Sequence, residues 1–569
     1  MAAHPLSDHF PGPVDPRLHA RLLVPQESDR EQLTEFIYDL LMQAATTEHL
    51  LSMQYLFACF TMKKYPEEFA DYQPGASSPP QQAINEIRLA QIEVIRRWEA
   101  NMLMVAREEM EHLCYVQNLL AILDKPPYLF RPNFPVPASS FPLQKPVNLM
   151  AFSNPAIQVF RYWEKPSHLP VPDPLKSYEM PDQLRPLFEA VPHPEAKPFD
   201  PEAMHAQASG WLLDLLDGKM DMNLRAQIAD PLQNGTAFNS IEGLYFVIKY
   251  AFKLGLEYKI IEGKNMERIV NEHFGFNMQL NPLVLGQYYT YVEQSIQQII
   301  EEGEGVWGVP PPLGSHFWVF QNILDELGSS ETTRGLPFQP ALPVAYNPTV
   351  AQNQDRHLAS LQHGAQGDAA IYKVDNPVAV KAMILFNTVY NTMLQMLNGF
   401  FADYEIDQTT GLRPNHVNAY FQTVFYPFMT MIVRPLGELV CRLPASASYQ
   451  PGSGRVPPVT AGPDFLIDIP VYDSAQRHSS VQAMKDVGDY TAAFNQMVAL
   501  CKELANDCAG AGYHIANYQQ VDARDFPACF NYLAESIGRI SLNFSAYWDG
   551  AMKAPVSSRG FQNFPDTYN

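Results

Sequence analysis

Little in this chain invites a polyanion. Against 61 Asp and Glu stand only 39 Lys and Arg, a formal net charge of −22. No basic stripe is visible, so neither nucleic acid nor an anionic membrane surface is an expected partner. Cysteine is sparse: six residues, at 59, 114, 441, 501, 508 and 529, with no Cys-x-x-Cys. This reads as reduced, buried thiols of a cytoplasmic protein. No uncharged apolar run reaches the length of a membrane span. The opening MAAHPLSDHFPGP lacks a basic stretch followed by an apolar run, so no signal peptide is expected. Glycine is outnumbered by proline, 30 to 49, which points to ordered connections rather than flexible linkers. A Walker A loop, a GxGxxG opening a helix, a GxSxG elbow and an HExxH helix are all missing.

What is present is long helical periodicity in a chain of 569 residues, ample for a large core. A Pro-rich arm covers 1–28. Helices are expected over about Asp29–Met62 and Gln82–Leu123, the second stopped by Lys125-Pro126-Pro127. Residues 125–200 read as an ordered insertion of short strands or turns, and 202–218 as a short helix. Long helices are expected again over Asn239–Glu262 and Pro282–Glu304, then a Gly/Pro loop (305–314) and the segment SHFWVFQNILDEL. Residues 331–375 look polar and irregular. Helices resume at about 376–403 and 413–442. A Pro/Gly/Ser-rich stretch, 444–463, is a candidate boundary before helices near 480–508 and 527–548. The expected units are the arm 1–28, a bundle 29–330, a helical extension 331–465 and a C-terminal region 466–569.

The chemistry lies in what interrupts the apolar rows. On the first helix Ile37, Leu41, Ala44, Glu48, Leu51 and Tyr55 step by fours and threes along one face. On the second, Trp98, Met102, Val105, Glu109, His112, Val116 and Leu119 do the same. A carboxylate inside an oily row is costly unless it is paired or holds a cation. Glu-x-x-His on one inward face opposite a lone inward Glu is half of a di-iron or di-manganese carboxylate site. Residues i and i+3 offer an oxygen and a nitrogen on one side of the helix. The plain alternative is a buried Glu–His or Glu–Arg pair that keeps helices in register. For the second half, Glu242 shares a face with Tyr245, Lys249 and Phe252, so a salt bridge competes there. Glu304 continues the row Val292, Ile296, Ile300, whereas Glu301 lies on a polar row with Gln294, Gln297 and Gln298. Glu304 is therefore preferred. No His follows it at three residues, and His316 is the nearest downstream. His49 points about 100° away from Glu48 and reads as a helix contact. Tyr55 and Tyr245 are expected beside the metals.

In order, AATTEHLLSMQYLFA, AREEMEHLCYVQNLLAIL, SIEGLYFVI, IIEEGEG, SHFWVFQNIL, FNTVYNTMLQML and TAGPDF resemble the ferritin-like domain of the iminophenyl-pyruvate dimer synthase type, known from pathways to violacein and rebeccamycin. The resemblance covers about residues 30–465. It implies a helical core with a non-haem metal site, and supports Glu48, Glu109, His112, Glu304 and His316 as ligands. The family pattern resembles Ile-Gly-Glu-Phe-Tyr where this chain has Ile241-Glu242-Gly243-Leu244-Tyr245, which displaces that Glu by one position. The pigment enzymes are longer, and their substrate is not carried over.

The resulting expectation is a mainly α fold, a ferritin-like four-helix bundle with additional helices and long Pro-rich ordered loops. Glu48, Glu109, His112, Glu242, Glu304 and His316 are the expected metal ligands. Two iron ions per chain, or manganese in their place, would act with O2 on a small aromatic or amino-acid-derived metabolite. The competing expectation is a metal-binding or scaffold protein without turnover.

Overall fold

The computed structural model describes residues 27–136, 145–166, 169–174, 240–257, 288–304, 314–350, 371–405, 413–451, 457–467, 486–515 and 525–552, with a few single residues between them. The expected arm and the expected helix 202–218 lie outside the described residues, apart from the last two of the arm.

Two long helices start the fold. α1 runs Glu27–Thr61 and α2 runs Pro79–Ile122. Prolines in the first turn, where the N–H has no partner to lose, and Ser78 at the N-cap start α2. Asp124, with φ of 57°, turns the chain out of it before the prolines. α4 (Ile241–Glu257) and α5 (Tyr288–Gly303) complete a ring in which α1 packs on α2, α2 on α5, α5 on α4 and α4 on α1. A helix pair lies beside this four-helix ring: α3 (Asn154–Trp163) against α6 (His316–Leu327).

α3 corrects the expectation for 125–200, where only strands and turns were foreseen. Ser153 caps it by accepting from the Ala156 N–H at 3.3 Å, Pro155 occupies its first turn, and Ile157, Phe160 and Trp163 are buried. Pro155 within its first turn and Pro166 just beyond its end mask a ten-residue helix in the sequence pattern.

A second layer follows. α7 (Pro377–Asp403) begins at Asn376, whose side chain accepts from the Val378 and Ala379 N–H groups. The helix expected over 413–442 is three pieces: α8 (Asn415–Thr423), a π-helical stretch Val424–Val433, and α9 (Arg434–Val440). Pro427 lies inside the π stretch and offers no N–H, and the wider turn accommodates the missing bond. α10 (Val487–Ala511) and α11 (Phe526–Trp548) pack on each other, α10 against α7 and α11 against α8. The region 331–375 also holds two short parallel strands, β1 (Pro348–Val350) and β2 (Tyr372–Val374). Within 444–463, Thr460 donates to Pro343 O at 2.9 Å and Ala461 to Leu443 O at 2.8 Å, so this stretch is stitched into the core.

α1 lies between the layers. Every residue from Leu40 to Tyr55 is buried. Its far face touches α9, where Gly437 faces the Phe60 ring. Among the described residues no helix is long and apolar enough to cross a membrane. All six cysteines are free thiols, five of them buried.

The α1–α9 contact makes a prediction. A Cβ at Gly437 would fall 2.4 Å from Phe60 Cδ2. Alanine ordinarily favours a helix over glycine by about 1 kcal/mol. Here overpacking opposes it by about 1–3 kcal/mol. Gly437→Ala is expected to lower the urea unfolding midpoint, and an unchanged or raised midpoint would show that the two helices are not in register as described.

Candidate metal centre

Glu48 comes from the middle of α1. Glu109 and His112 come from adjacent turns of α2, as the helical repeat requires. Glu164 caps the end of α3. His316 opens α6, where Ser315 accepts from the Trp318 N–H and fixes the first turn. Helix ends therefore deliver Glu164 and His316, while helix interiors deliver the other three.

These five side chains form two triads with one member in common. Glu48, Glu109 and His112 make the first, and Glu109, Glu164 and His316 the second; within each, one ligand atom per residue lies within 4.8 Å of the others. All five are at most 2% exposed. Glu109 divides its oxygens between the halves: Oε2 lies 3.2 Å from His112 Nδ1, and Oε1 lies 3.0 Å from His316 Nδ1. The outer carboxylates repeat the pattern. Glu48 Oε2 is 3.5 Å from His112 Nδ1, and Glu164 Oε2 is 3.6 Å from His316 Nδ1. The imidazole rings stack with centroids 5.5 Å apart.

Each imidazole presents Nδ1 inward and Nε2 outward. His112 Nε2 pairs with Glu302 at 3.0 Å, and His316 Nε2 pairs with Glu108 at 3.1 Å. Glu302 and Glu108 are partly exposed. A carboxylate on the outer nitrogen is the usual arrangement around a metal-bound histidine, whose inner nitrogen would then be free to serve as the ligand.

The triads fit a cation better than a self-contained polar network. Glu109 Oε1 and His316 Nδ1 are buried and close to each other, yet their alignment makes no hydrogen bond. Among the described residues no lysine or arginine nitrogen lies within 4 Å of Glu48, Glu109 or Glu164, so the Glu–Arg alternative does not apply. Two oxygens and one imidazole nitrogen per triad form a donor set that suits iron or manganese.

Glu304 and Glu242, both also expected as ligands, are buried beside the triads but outside them. Glu304 Oε1 accepts from the Glu242 backbone N–H at 3.0 Å, so the first turn of α4 holds it. Glu301 is only half-buried and accepts from Gln297. His49 turns to the other layer, where its Nε2 and the Tyr390 hydroxyl share a hydrogen bond of 2.5 Å. Sequence reasoning missed Glu164, Glu108 and Glu302. For Glu164 the Ser153/Pro155 pair marks only a helix start, and nothing in the sequence marks Glu164 itself.

Electrostatics follow from this crowding. Burial, the Glu164 and Glu48 charges push Glu109 up to about 8. Burial disfavours charge on both histidines, but the surrounding carboxylates outweigh it and hold both well above the ordinary imidazole value. Glu304 is raised by burial and by Glu164, Glu242 and Glu48. Burial also raises Glu48, but hydrogen bonds from His112 and Glu109 reverse the sign and leave it lowered.

A profile of the ferritin-like family matches residues 41–325 of this chain. Dichlorochromopyrrolate synthase of Lentzea aerocolonigenes is 32% identical over 199 residues, an alignment that covers 33% of this chain and 17% of that protein. The chain thus spans less than a fifth of that relative's length. No solved structure matches.

Two predictions follow from the geometry. Glu164→Ala is expected to halve the metal bound per chain, whereas Glu301→Ala leaves it unchanged; elemental analysis of the refolded, dialysed variants decides. The second concerns pH. Groups raised above their ordinary values keep their protons at neutral pH, and metal ligands must lose them. Affinity for Mn(II) should therefore rise from roughly pH 6 to roughly pH 8, with protons released on binding. Competition against a chromophoric chelator measures this, and a flat profile would contradict it.

Proposed function

We propose that this chain, which belongs to the ferritin-like family, holds two metal ions, iron in the first instance, and uses them with O2 to oxidise a small aromatic or amino-acid-derived metabolite. The single observation that carries this reading is Glu109, whose two oxygens are turned to two different imidazoles. One carboxylate serving two donor sets is the arrangement that bridges a metal pair.

In this reading Glu48, Glu109 and His112 hold one ion, and Glu109, Glu164 and His316 the other. A ferrous pair at these positions would supply the electrons that dioxygen reduction needs. The protein's own part is to bind, orient and keep water out. Three ligand atoms per triad leave coordination positions open to small molecules. Glu108 and Glu302 hold the imidazole tautomers. Phe160 and Phe320, packed on Tyr55 with centroids 4.9 and 5.0 Å away, wall the Glu164 side against solvent.

A biosynthetic rather than a storage role is supported by the name of the Lentzea relative, a synthase. A second reading, a metal-binding or scaffold protein without turnover, is favoured by one fact: His112 finds a carboxylate on both ring nitrogens without any ion.

Anaerobic Fe(II) loading followed by exposure to O2 separates the two. The expected result is about two irons per chain and an optical change that depends on O2. One or no bound metal, or two that stay silent to O2, would support the scaffold reading. Glu109→Ala is expected to lose both ions, since it donates to both halves. If this variant folds and keeps its metal, the assignment is wrong.

A further inference from the structure

The two halves match beyond their ligands. In the first, the Tyr245 hydroxyl donates to Glu48 Oε1, and Glu48 Oε2 is the oxygen turned to His112. In the second, the Tyr55 hydroxyl donates to Glu164 Oε1, and Glu164 Oε2 is the oxygen turned to His316. Both tyrosines are fully buried. They come from different helices: Tyr55 from α1, two turns beyond Glu48, and Tyr245 from α4. Tyr55, on the same helix face as Glu48, reaches across to Glu164 instead.

We infer that these two hydroxyls act as positioning groups, one per half, each occupying one oxygen of an outer carboxylate so that only the other oxygen is offered to the ion. The inference rests on the dinuclear reading above. A carboxylate with both oxygens free can chelate one ion through both. A hydroxyl that donates to one oxygen competes with that mode and favours attachment through a single oxygen. Each outer carboxylate then uses one coordination position rather than two. With one oxygen from Glu109 and one imidazole nitrogen, each ion receives three protein donors and keeps room for exogenous ones. The tyrosines thereby set how open each half is, and do so separately.

Separate control makes the test selective. Phenylalanine keeps the ring packing and removes only the hydroxyl. The probe is Mn(II), titrated against a chromophoric chelator, with thermal unfolding checked in parallel. The His316→Ala background leaves only the Glu48, Glu109, His112 half intact. There, Tyr245→Phe is expected to change the affinity of the remaining ion by roughly tenfold or more, and Tyr55→Phe to leave it unchanged. In the wild-type background each single variant should alter one of two ions. Equal effects of both variants on the remaining ion, or no effect of either, overturn the assignment while leaving the dinuclear reading intact. A wild-type chain that takes up no Mn(II) and no Fe(II) overturns both. A purely structural hydrogen bond would lower the unfolding midpoint without distinguishing the two halves.

Discussion

Carboxylates strongly prefer water, and this fold takes five of them out of it around two imidazoles. Glu48, Glu109, Glu164, Glu242 and Glu304 are all buried, and those of the triads have no guanidinium or ammonium in contact among the described residues. Like charges at such spacing in a poorly solvated interior repel strongly. Protonation of Glu109 and Glu304 relieves part of that repulsion, and a cation relieves more. The four-helix ring brings Glu48, Glu109 and His112 together. The helix pair α3–α6 is where the remaining donors are brought in.

The second layer has a part in this. α1 carries Glu48 on one face and His49 on another. His49 is hydrogen-bonded to Tyr390, and Arg131 donates both to Tyr390 and to the Phe465 carbonyl. That chain of hydrogen bonds joins α1, the segment after α2, α7 and the Ala-Gly-Pro-Asp-Phe stretch. All of its side chains are buried. It ties α1, next to Glu48, to the second layer. The extension is thus part of the site's support.

Much of this could be read from residue order. The inward rows of α1 and α2 single out Glu48, Glu109 and His112, because helical periodicity is a local property and a charged residue within it is conspicuous. The preference for Glu304 over Glu301 has the same basis, and Glu304 is the buried one of the two. His316 is reached as the nearest histidine downstream of Glu304, a weaker pattern than a contiguous Glu-x-x-His, and the resemblance then supports it. Glu164 was not legible, because it sits at the end of a ten-residue helix among prolines and meets the bundle only through tertiary packing. Glu108 and Glu302 were hidden for a different reason. Both are partly exposed glutamates on amphipathic helices, and nothing in one dimension separates such a residue from a solvated one. The π-helical stretch at Pro427 was likewise read as ordinary helix, since periodicity does not distinguish the two over ten residues.

The two triads differ in how far apart their members are along the polypeptide. Glu48, Glu109 and His112 all belong to the α1–α2 hairpin, whereas the other half must recruit Glu164 and His316 as well. The hairpin's contacts are comparatively local, and closing the second half requires bringing a distant segment back. As the nascent polypeptide leaves the ribosome, one binding half is therefore complete in its covalent chain some two hundred residues before the other. Glu109, common to both triads, belongs to the part of the chain that is synthesised first.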